Sequence, residues 1–260
     1  MKPFDFFWLF YDAAYCQVVR YTYQFFKKFP KQKHTLKIVT INGLKFKVRP
    51  GSSDSIVLLQ NLMFYPQDLS ALNHSNNTVI IDIGAHIGAF SLSCASQKPK
   101  TKILCFEPEH NNYQLLKENI SLNRFQKQIK IFNFAVDKDN SPKSLFLDNL
   151  FPSAHSLNKV LSFSSKSVQV KCISLNQIFK QNRLVKCNLL KLDCEGSEYD
   201  ILMTATKETL GRVGTILFEF HQTPEKLQQL TKHLILNGFE VKNQPLSRFL
   251  SSFPILIAKK

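Results

Sequence analysis

The sequence lacks the patterns that assign many chains to a class at first sight. Its six cysteines form no C-x-x-C pair, and several lie inside apolar runs, where a reduced thiol behaves as a small hydrophobic side chain. No internal repeat or low-complexity tract is present. A chain of 260 residues, 44% of them hydrophobic, is long enough to bury one large core. We therefore predict one large folded domain in a reducing compartment, with the cytoplasm as the expected location.

A long uncharged run is also missing. Asp5, Asp12 and Arg20 interrupt the aromatic-rich segment 4–26, so it falls short of the ~20 apolar residues that a membrane-spanning helix needs. A signal peptide is disfavoured, because Phe6–Tyr11 is short for its apolar region and no A-x-A-like cleavage site follows. Apolar residues at helical spacing, followed by lysines, predict an amphipathic helical arm at 1–35. The arm packs on the core or on a second subunit in one interpretation, and makes peripheral membrane contact in the other.

Acidic residues are scarce. There are 19 of them against 34 lysines and arginines, which gives a net charge of +15. Ten of the basic residues, but only two acidic ones, lie in the first fifty positions. Such a bias fits nucleic acid, an anionic membrane surface or a lysine-rich solvated face, so charge alone leaves the partner open. The sequence does not predict the oligomeric state.

The remaining chain, 36–260, is predicted to hold a lead-in at 36–77 and a core at 78–260. Alternating residues on both sides of Asn42-Gly43 predict a β-hairpin, and Ser53 or Asp54 is suited to cap a short helix through Ile56, Leu59 and Met63. The core alternates β-rich runs with helical stretches, which predicts an α/β fold with a doubly wound, mostly parallel sheet. The predicted strands are 78–83, 102–107, 128–135, 187–193, 214–220, 239–241 and 255–258. The predicted helices are 87–97, 109–122, 198–210 and 224–237. A Ser-rich stretch at 140–167 is longer than an ordinary connection and is predicted to be a lid or substrate loop.

The first core strand, 78–82, ends in Asp82, and Gly84 and Gly88 follow before an apolar helix. In a doubly wound sheet, ligands bind beyond the carboxyl ends of the strands, next to such a turn and the N–H groups of the helix. Dinucleotide-binding folds use G-x-G-x-x-G, whereas this turn reads G-x-x-x-G. The charge of Asp82 would repel a phosphate and attract a sulfonium. We therefore favour S-adenosylmethionine over NAD.

The second core strand ends in Glu107, nineteen residues after Gly88. A carboxylate at this position is placed to accept both ribose hydroxyl protons of a nucleoside cofactor. Glu107 is the strongest single candidate for a cofactor ligand. The alternative interpretation makes Asp82 a helix cap and Glu107 a solvated strand end.

Three motifs together resemble the FkbM-type family of class I methyltransferases, over roughly 36–241. They are Asp82–Gly88, Phe106-Glu107-Pro108 with the asparagines of the next helix, and the K-x-D-x-E-G-x-E sequence of Lys191–Glu198. The resemblance implies a Rossmann-like seven-stranded sheet whose last strand is antiparallel. It also implies use of S-adenosylmethionine and O-methylation of a hydroxyl on a sugar, polyketide, lipid or similar small molecule. The candidate cofactor residues are Asp82, Gly84, Ala85, His86, Gly88, Glu107, Pro108 and Val136.

The sequence departs from the family pattern in two places. His86 stands where the family usually has Asn, which affects contact to the methionine end of the cofactor. Asn176-Gln177 stands in place of the usual acidic pair, which removes charge near the edge of the sheet.

Candidate catalytic residues lie in the third motif and after the next strand. Lys191 and Asp193 share one strand face, and Glu195 follows on the turn, so Asp193 and Glu195 are predicted to line the acceptor pocket. His221 ends the next strand, and a neutral imidazole is a natural general base. The alternatives are a structural ion pair at Lys191 and Asp193 and an ordinary polar role for His221. The spacing of Asp193, Glu195 and His221 fits no standard metal signature, so no metal is predicted, with a divalent ion as the alternative.

These features predict a methyltransferase that acts on a small-molecule or glycan hydroxyl. Nucleic acid is disfavoured as the acceptor, because the Asn/Asp-Pro-Pro-aromatic motif of base-modifying enzymes is absent and the acids of the third motif would repel phosphate. A nucleic-acid or protein methyltransferase is kept as an alternative. A second alternative is a cofactor-binding, membrane-associated pseudoenzyme that uses the aromatic arm.

Overall fold

The structure, a computed structural model, describes residues 35–55, 57–58, 78–148, 153–158, 166–243 and 253–260. The predicted helical arm lies outside the described residues, as do Ile56, Leu59, Met63 and parts of the Ser-rich stretch. The first turn of the short helix is described, and there Val57 N donates to the Ser53 carbonyl at 3.0 Å. Within the described ranges, every helix is too short or too polar to cross a membrane.

The described secondary structure follows the predicted alternation of strands and helices. The strands are β1 (Lys37–Ile41), β2 (Leu44–Val48), β3 (Val79–Ile83), β4 (Lys102–Phe106), β5 (Ile129–Phe132), β6 (Ala135–Asp137), β7 (Lys143–Phe146), β8 (Ser167–Val170), β9 (Cys172–Ser174), β10 (Cys187–Leu192), β11 (Val213–Glu219), β12 (Glu240–Asn243) and β13 (Ile255–Lys259). The helices are α1 (Ala89–Gln97), α2 (His110–Leu122), α3 (Leu175–Gln181), α4 (Glu198–Thr204), α5 (Lys207–Gly211) and α6 (Pro224–Leu236).

The main sheet has seven strands in the order β12-β13-β11-β10-β3-β4-β5. Strands β11, β10, β3, β4 and β5 are parallel to one another, and β13 runs antiparallel to both of its neighbours. The predicted seven-stranded, mostly parallel sheet with an antiparallel last strand is confirmed, and so is the hairpin of β1 and β2.

The apolar sequence of the central strands explains their position. Ile80, Ile81, Leu189 and Leu190 are fully or almost fully buried, because hydrophobic clusters cover both faces of the sheet. Strand β10 lies beside β3, and the carboxyl ends of these strands and of β4 and β11 therefore meet at one edge of the sheet. The sheet thus collects the polar residues that follow four strands.

The hairpin packs against the end of helix α2, where asparagine side chains form hydrogen bonds with backbone groups of β2. Asn123 accepts from the Lys45 backbone N–H at 2.9 Å and donates to its carbonyl at 2.7 Å. Asn119 accepts from the Lys47 N–H at 2.6 Å and donates to the Ile87 carbonyl at 2.9 Å. Asn119 is fully buried, so its amide satisfies backbone groups that water cannot reach.

Two elements that were predicted to be continuous are each divided in two in the structure. The predicted strand 128–135 is two strands, of which β5 belongs to the main sheet and β6 pairs with β9. The predicted helix 198–210 is also interrupted, because Thr206 is extended and caps α5 by accepting from the Thr209 N–H. Asn176, at the departure from the family pattern, bridges this break: it accepts from Thr206 N at 2.9 Å and donates to the Thr204 carbonyl at 3.1 Å.

Candidate active site

A cleft opens at the edge where the carboxyl ends of the parallel strands meet, and it encloses about 510 Å³ counted to its open mouth. The cleft is lined by Ile83, Gly84, His86, Phe106, Glu107, Pro108, Asn112, Phe134, Ala135, Val136, Leu145, Ser153, His155, Leu157, Asp193, Cys194, Glu195 and Ser197.

Most of the residues selected from the sequence reach this cleft. On the side of the predicted cofactor they are Gly84, His86, Glu107, Pro108 and Val136, and on the side of the predicted acceptor they are Asp193 and Glu195. Four candidates lie outside the lining set: Asp82, Ala85, Gly88 and His221. The structure therefore brings the two predicted halves together around one space.

Asp82 does not face the cleft, which corrects its predicted role as an attractor of the sulfonium. Its side chain is fully buried, accepts from the Ser91 hydroxyl at 2.6 Å and lies 3.3 Å from Lys191 Nζ. Burial alone would lower the pKa of Lys191, but Asp82 and Asp193 raise it, so the ammonium stays charged. The register places Lys191 directly beside Asp82 on adjacent strands. The charge of Asp82 is therefore used inside the core.

Gly84 and Gly88 both have positive φ values that favour glycine, and at Gly84 the packing requires it as well. A Cβ on Gly84 would lie 1.8 Å from the Asp193 carbonyl oxygen, and Gly84 has φ +77°. A Cβ on Gly88 would lie 2.7 Å from a Leu116 methyl group, and Gly88 has φ +93°. Gly84 thus allows the end of β3 to touch the end of β10, and Gly88 allows α1 to approach α2.

The turn after β3 has fewer free N–H groups than its sequence predicts. Gly84 N and Ala85 N donate to the Phe106 carbonyl at 3.0 and 3.1 Å, and Gly88 N donates to Ala85 O at 2.8 Å. His86 N donates to Glu107 Oε2 at 2.9 Å. Four backbone donors of the turn are thus engaged, so the recognition of a ligand carboxylate at this end of the cleft depends more on side chains.

Glu107 is a buried carboxyl group at the cleft wall, with 5% of its surface exposed. Besides the bond from His86 N, it accepts from Glu109 N at 3.0 Å and from the Asn112 amide at 3.4 Å. Burial raises the pKa of Glu107, against the lowering effect of His86 and of these bonds. A carboxylate offers about four lone-pair positions, so one remains for a ligand hydroxyl.

His86 belongs to a charged network that joins the lead-in to the cleft. Its Nε2 lies 3.2 Å from Arg49 Nη2 and 3.3 Å from Asp54 Oδ1, and Arg49 also donates to Asp54 and Asn112 at 2.7 Å each. Burial alone would raise the pKa of Asp54, but the bonds from His86 and Arg49 hold it well below its ordinary value. The Nδ1 atom of His86 is buried without a hydrogen-bond partner. His86 adopts φ +50°, a conformation in which histidine, like asparagine, is more common than most residues.

His221 lies behind the cleft in a cage of carboxylates. Its Nδ1 is 3.0 Å from Glu198 Oε1, and its Nε2 is 3.5 Å from Glu195 Oε2 and 3.8 Å from Glu219 Oε1. Burial alone would lower the pKa of His221, but Glu195 and Glu198 raise it well above the ordinary value. The neutral imidazole predicted from the sequence is therefore replaced by a charged ring in this cage.

The two glutamates that contact His221 differ in their surroundings. Burial raises the pKa of Glu195 to about 8, although His221 opposes this. Glu198 would also be raised by burial, but His221 lowers its pKa, and Cys194 N and Gly196 N each donate to Glu198 at 3.0 Å. Glu198 is fully buried, so it is part of the cage and more than a charge at the start of α4.

The described part of the Ser-rich stretch forms the outer wall of the cleft. Ser153, His155 and Leu157 line the space, and the Ser156 hydroxyl donates to the Glu195 carbonyl. Burial lowers the pKa of His155 to about 4, so its ring is neutral, and Nδ1 accepts from Asp148 N at 2.9 Å. The sequence indicated a lid or substrate loop but did not select these residues, because a loop has no periodic pattern that tells which side chains face inward.

The seven-stranded sheet with an antiparallel last strand and a cleft at its carboxyl edge is the class I methyltransferase fold. The chain belongs to the FkbM methyltransferase family: the family model described as the methyltransferase FkbM domain matches residues 82–241. The crystal structure of methyltransferase FkbM from Methylobacillus flagellatus has a TM-score of 0.54 and 12% sequence identity. That likeness covers 77% of this chain and 47% of the other.

Curated relatives are distant in sequence. Methyltransferase sdnD of Sordaria araneosa is 23% identical over 72% of this chain and 83% of its own length. Hexuronic acid methyltransferase AglP of Haloferax volcanii is 25% identical over 55% of this chain and 56% of its own length. The AMB antimetabolite synthetase AmbE of Pseudomonas aeruginosa is 23% identical over 64% of this chain, which spans only 10% of AmbE.

Proposed function

We propose that the protein is an S-adenosylmethionine-dependent O-methyltransferase that acts on a hydroxyl of a sugar, lipid, polyketide or similar small molecule. The observation that carries this proposal is the cleft with the Glu107 carboxylate on one wall and Asp193 and Glu195 on the other. The name of AglP, a hexuronic acid methyltransferase, supports a sugar derivative as one acceptor class.

The residues of the cleft fit the proposed cofactor. Glu107 has room to accept one ribose hydroxyl, and Phe106, Phe134 and Val136 supply an apolar surface for a base. The buried Nδ1 of His86 has no hydrogen-bond partner within the described residues, so it is available to the methionine end of the cofactor. The cofactor would supply an electrophilic methyl group, and its positive sulfonium would be balanced by the acids at the cleft wall.

On the acceptor side, the chain must hold a hydroxyl in line with the methyl group and remove its proton. Asp193 and Glu195 are the carboxylates that line the cleft, so we assign proton acceptance to this pair. His221 contacts Glu195 from behind and is outside the lining set, which makes it a positioning residue in this proposal. Ser156 holds the backbone of Glu195 from the outer wall.

The test has two stages. We expect S-adenosylmethionine and its demethylated product to raise the thermal unfolding temperature of the wild-type chain, and Glu107→Ala to remove this effect. A labelled-methyl transfer assay against fractionated host extract then identifies the acceptor. Glu195→Gln is expected to lower transfer while keeping the ligand-induced thermal shift, because it acts on the acceptor side. No shift in the wild-type chain at saturating ligand would contradict the proposal.

A further inference from the structure

The residues that follow β10 and β11 meet beside His221, just behind the wall of the cleft. Leu192 pairs with Phe218 in the parallel register, so Asp193 and Glu219 come together at the ends of these strands. One ligand atom each from Asp193, Glu219 and His221 lies within 4.8 Å of the other two. Their side chains are 25%, 15% and 3% exposed. The sequence spacing predicts no metal site, because it does not show that Glu219 joins this group.

One separation in this group is longer than an ordinary hydrogen bond. His221 Nε2 lies 3.8 Å from Glu219 Oε1, beyond the typical N–H···O distance of about 3 Å. Two ligand atoms that are each about 2.1 Å from one ion are about 3 Å apart when adjacent and about 4.2 Å apart when opposite. The distance between His221 Nε2 and Glu219 Oε1 is below the larger value, so both atoms can contact one ion.

A separate observation concerns the orientation of the His221 ring. Glu198 contacts Nδ1 at 3.0 Å, and this glutamate is fully buried and fixed by two backbone donors. A carboxylate behind an imidazole is the arrangement that orients metal-binding histidines, because it places the proton on one nitrogen and turns the other toward the ion. The other nitrogen, Nε2, lies 3.5 Å from Glu195 Oε2 and 3.8 Å from Glu219 Oε1, and an ion at this position would replace its proton.

We propose that Asp193, Glu219 and His221 bind a divalent cation of the Mg²⁺ and Mn²⁺ class, with Glu198 as the residue that orients His221. Two carboxylates favour a hard cation, and the imidazole is tolerated by Mn²⁺, which makes Mn²⁺ the best probe. Lys191 contacts Oδ2 of Asp193 at 3.4 Å, and the carboxylate has a second oxygen for the ion.

The role of the cation rests on the proposed function. Asp193 lines the cleft, so an ion on Asp193 would lie beside the acceptor. Bound to the hydroxyl oxygen, a divalent cation lowers the pKa of the hydroxyl and makes its proton easier to remove. The proton would pass to a carboxylate of the same wall, for which Glu195 is adjacent to His221 at 3.5 Å.

The experiment is a titration of the chelator-treated full chain with Mn²⁺, in which electron paramagnetic resonance measures the free ion. We expect one ion per chain, binding at least about tenfold weaker in Glu219→Gln and in Asp193→Asn, and about 10- to 100-fold weaker in Glu198→Gln. Glu208→Gln is the matched control, because Glu208 is 75% exposed on α5 and pairs with Arg212. Circular dichroism checks that each variant is folded, and Asp193→Asn changes the most exposed of the three ligands.

Two results would overturn the inference: no saturable binding to the wild-type chain at millimolar Mn²⁺, or wild-type affinity in the folded Glu219→Gln and Asp193→Asn variants. The thermal shift by the demethylated cofactor, measured without metal, separates this inference from the proposed function. A cofactor-induced shift without Mn²⁺ binding would refute the cation site alone. Mn²⁺ binding without any cofactor-induced shift would count against the proposed function and leave the ion site standing.

Discussion

Replacing Glu107 by Gln changes one charge and little volume at the cofactor side of the cleft. In the wild-type chain, the two carboxylate oxygens accept from His86 N, from Glu109 N and from the Asn112 amide. A glutamine has one acceptor oxygen, and its NH₂ group would face one of the two backbone donors. The substitution therefore affects both the fold and the ligand.

The expected magnitudes follow from these contacts. One backbone N–H loses its partner at a site that is 5% exposed, which costs about 1–3 kcal/mol of folding stability. The hydroxyl of the ligand loses a charged acceptor, which is worth about 1.5–3 kcal/mol. Since 1.4 kcal/mol corresponds to about tenfold in affinity, we expect Glu107→Gln to weaken cofactor binding by about 10- to 100-fold.

Isothermal titration calorimetry with the demethylated cofactor measures this loss, and urea unfolding measures the stability. Glu118→Gln is the control, because it makes the same chemical change on α2 at a side chain that is 46% exposed and paired with Lys47. We expect it to bind like the wild-type chain. If folded Glu107→Gln bound the cofactor as tightly as Glu118→Gln, the assignment of the ribose to Glu107 would be refuted.

Three further outcomes follow from the structure. Lys191→Met should lower the free energy of unfolding in urea by about 3–5 kcal/mol, because it leaves the fully buried Asp82 without its cation. Adding Asp82→Asn should restore most of this loss. Equal stability of the single and double variants would contradict the reasoning. Gly84→Ala should be far more destabilising in thermal unfolding than Gly51→Ala. Both glycines have nearly the same positive φ, worth about 1–2 kcal/mol, but only the Cβ at Gly84 meets a backbone oxygen, at 1.8 Å. Cofactor affinity, measured by calorimetry, should fall as the pH falls through the raised pKa of Glu107, since protonation removes the charged acceptor. In Glu107→Gln the affinity should not change over the same pH range. A parallel fall in both proteins would exclude Glu107 as the titrating group.

The central sheet could be predicted from the sequence because its strands are apolar runs bounded by polar turns. The strand predicted at 102–107 is observed at Lys102–Phe106, and the helix predicted at 109–122 is observed at His110–Leu122. The prediction failed where pairing depends on residues distant in sequence. Strand β6 leaves the main sheet to pair with β9, and no local pattern at 128–135 shows that β9 will be its partner.

The candidate site, like the sheet, could be predicted from the sequence only in part. Gly84 and Glu107 were found because each lies at the carboxyl end of a strand, and those ends meet at one edge of the sheet. The bond network around His86 was missed, since Arg49 is 37 residues away in sequence and approaches only when the hairpin docks. The charge state of His221 was also missed, because it depends on Glu195 and Glu198, which follow a different strand from His221.

Lys191 links the first and third sequence motifs into one electrostatic unit. It lies 3.3 Å from Asp82 and 3.4 Å from Asp193, so it neutralises the acid that the sequence assigned to the sulfonium. The acids that line the cleft are Glu107, Asp193 and Glu195, and the described lining residues include no lysine or arginine. A carboxylate there would repel phosphate, which is why we propose a hydroxyl acceptor without phosphate groups and not a nucleic acid, despite the net charge of +15.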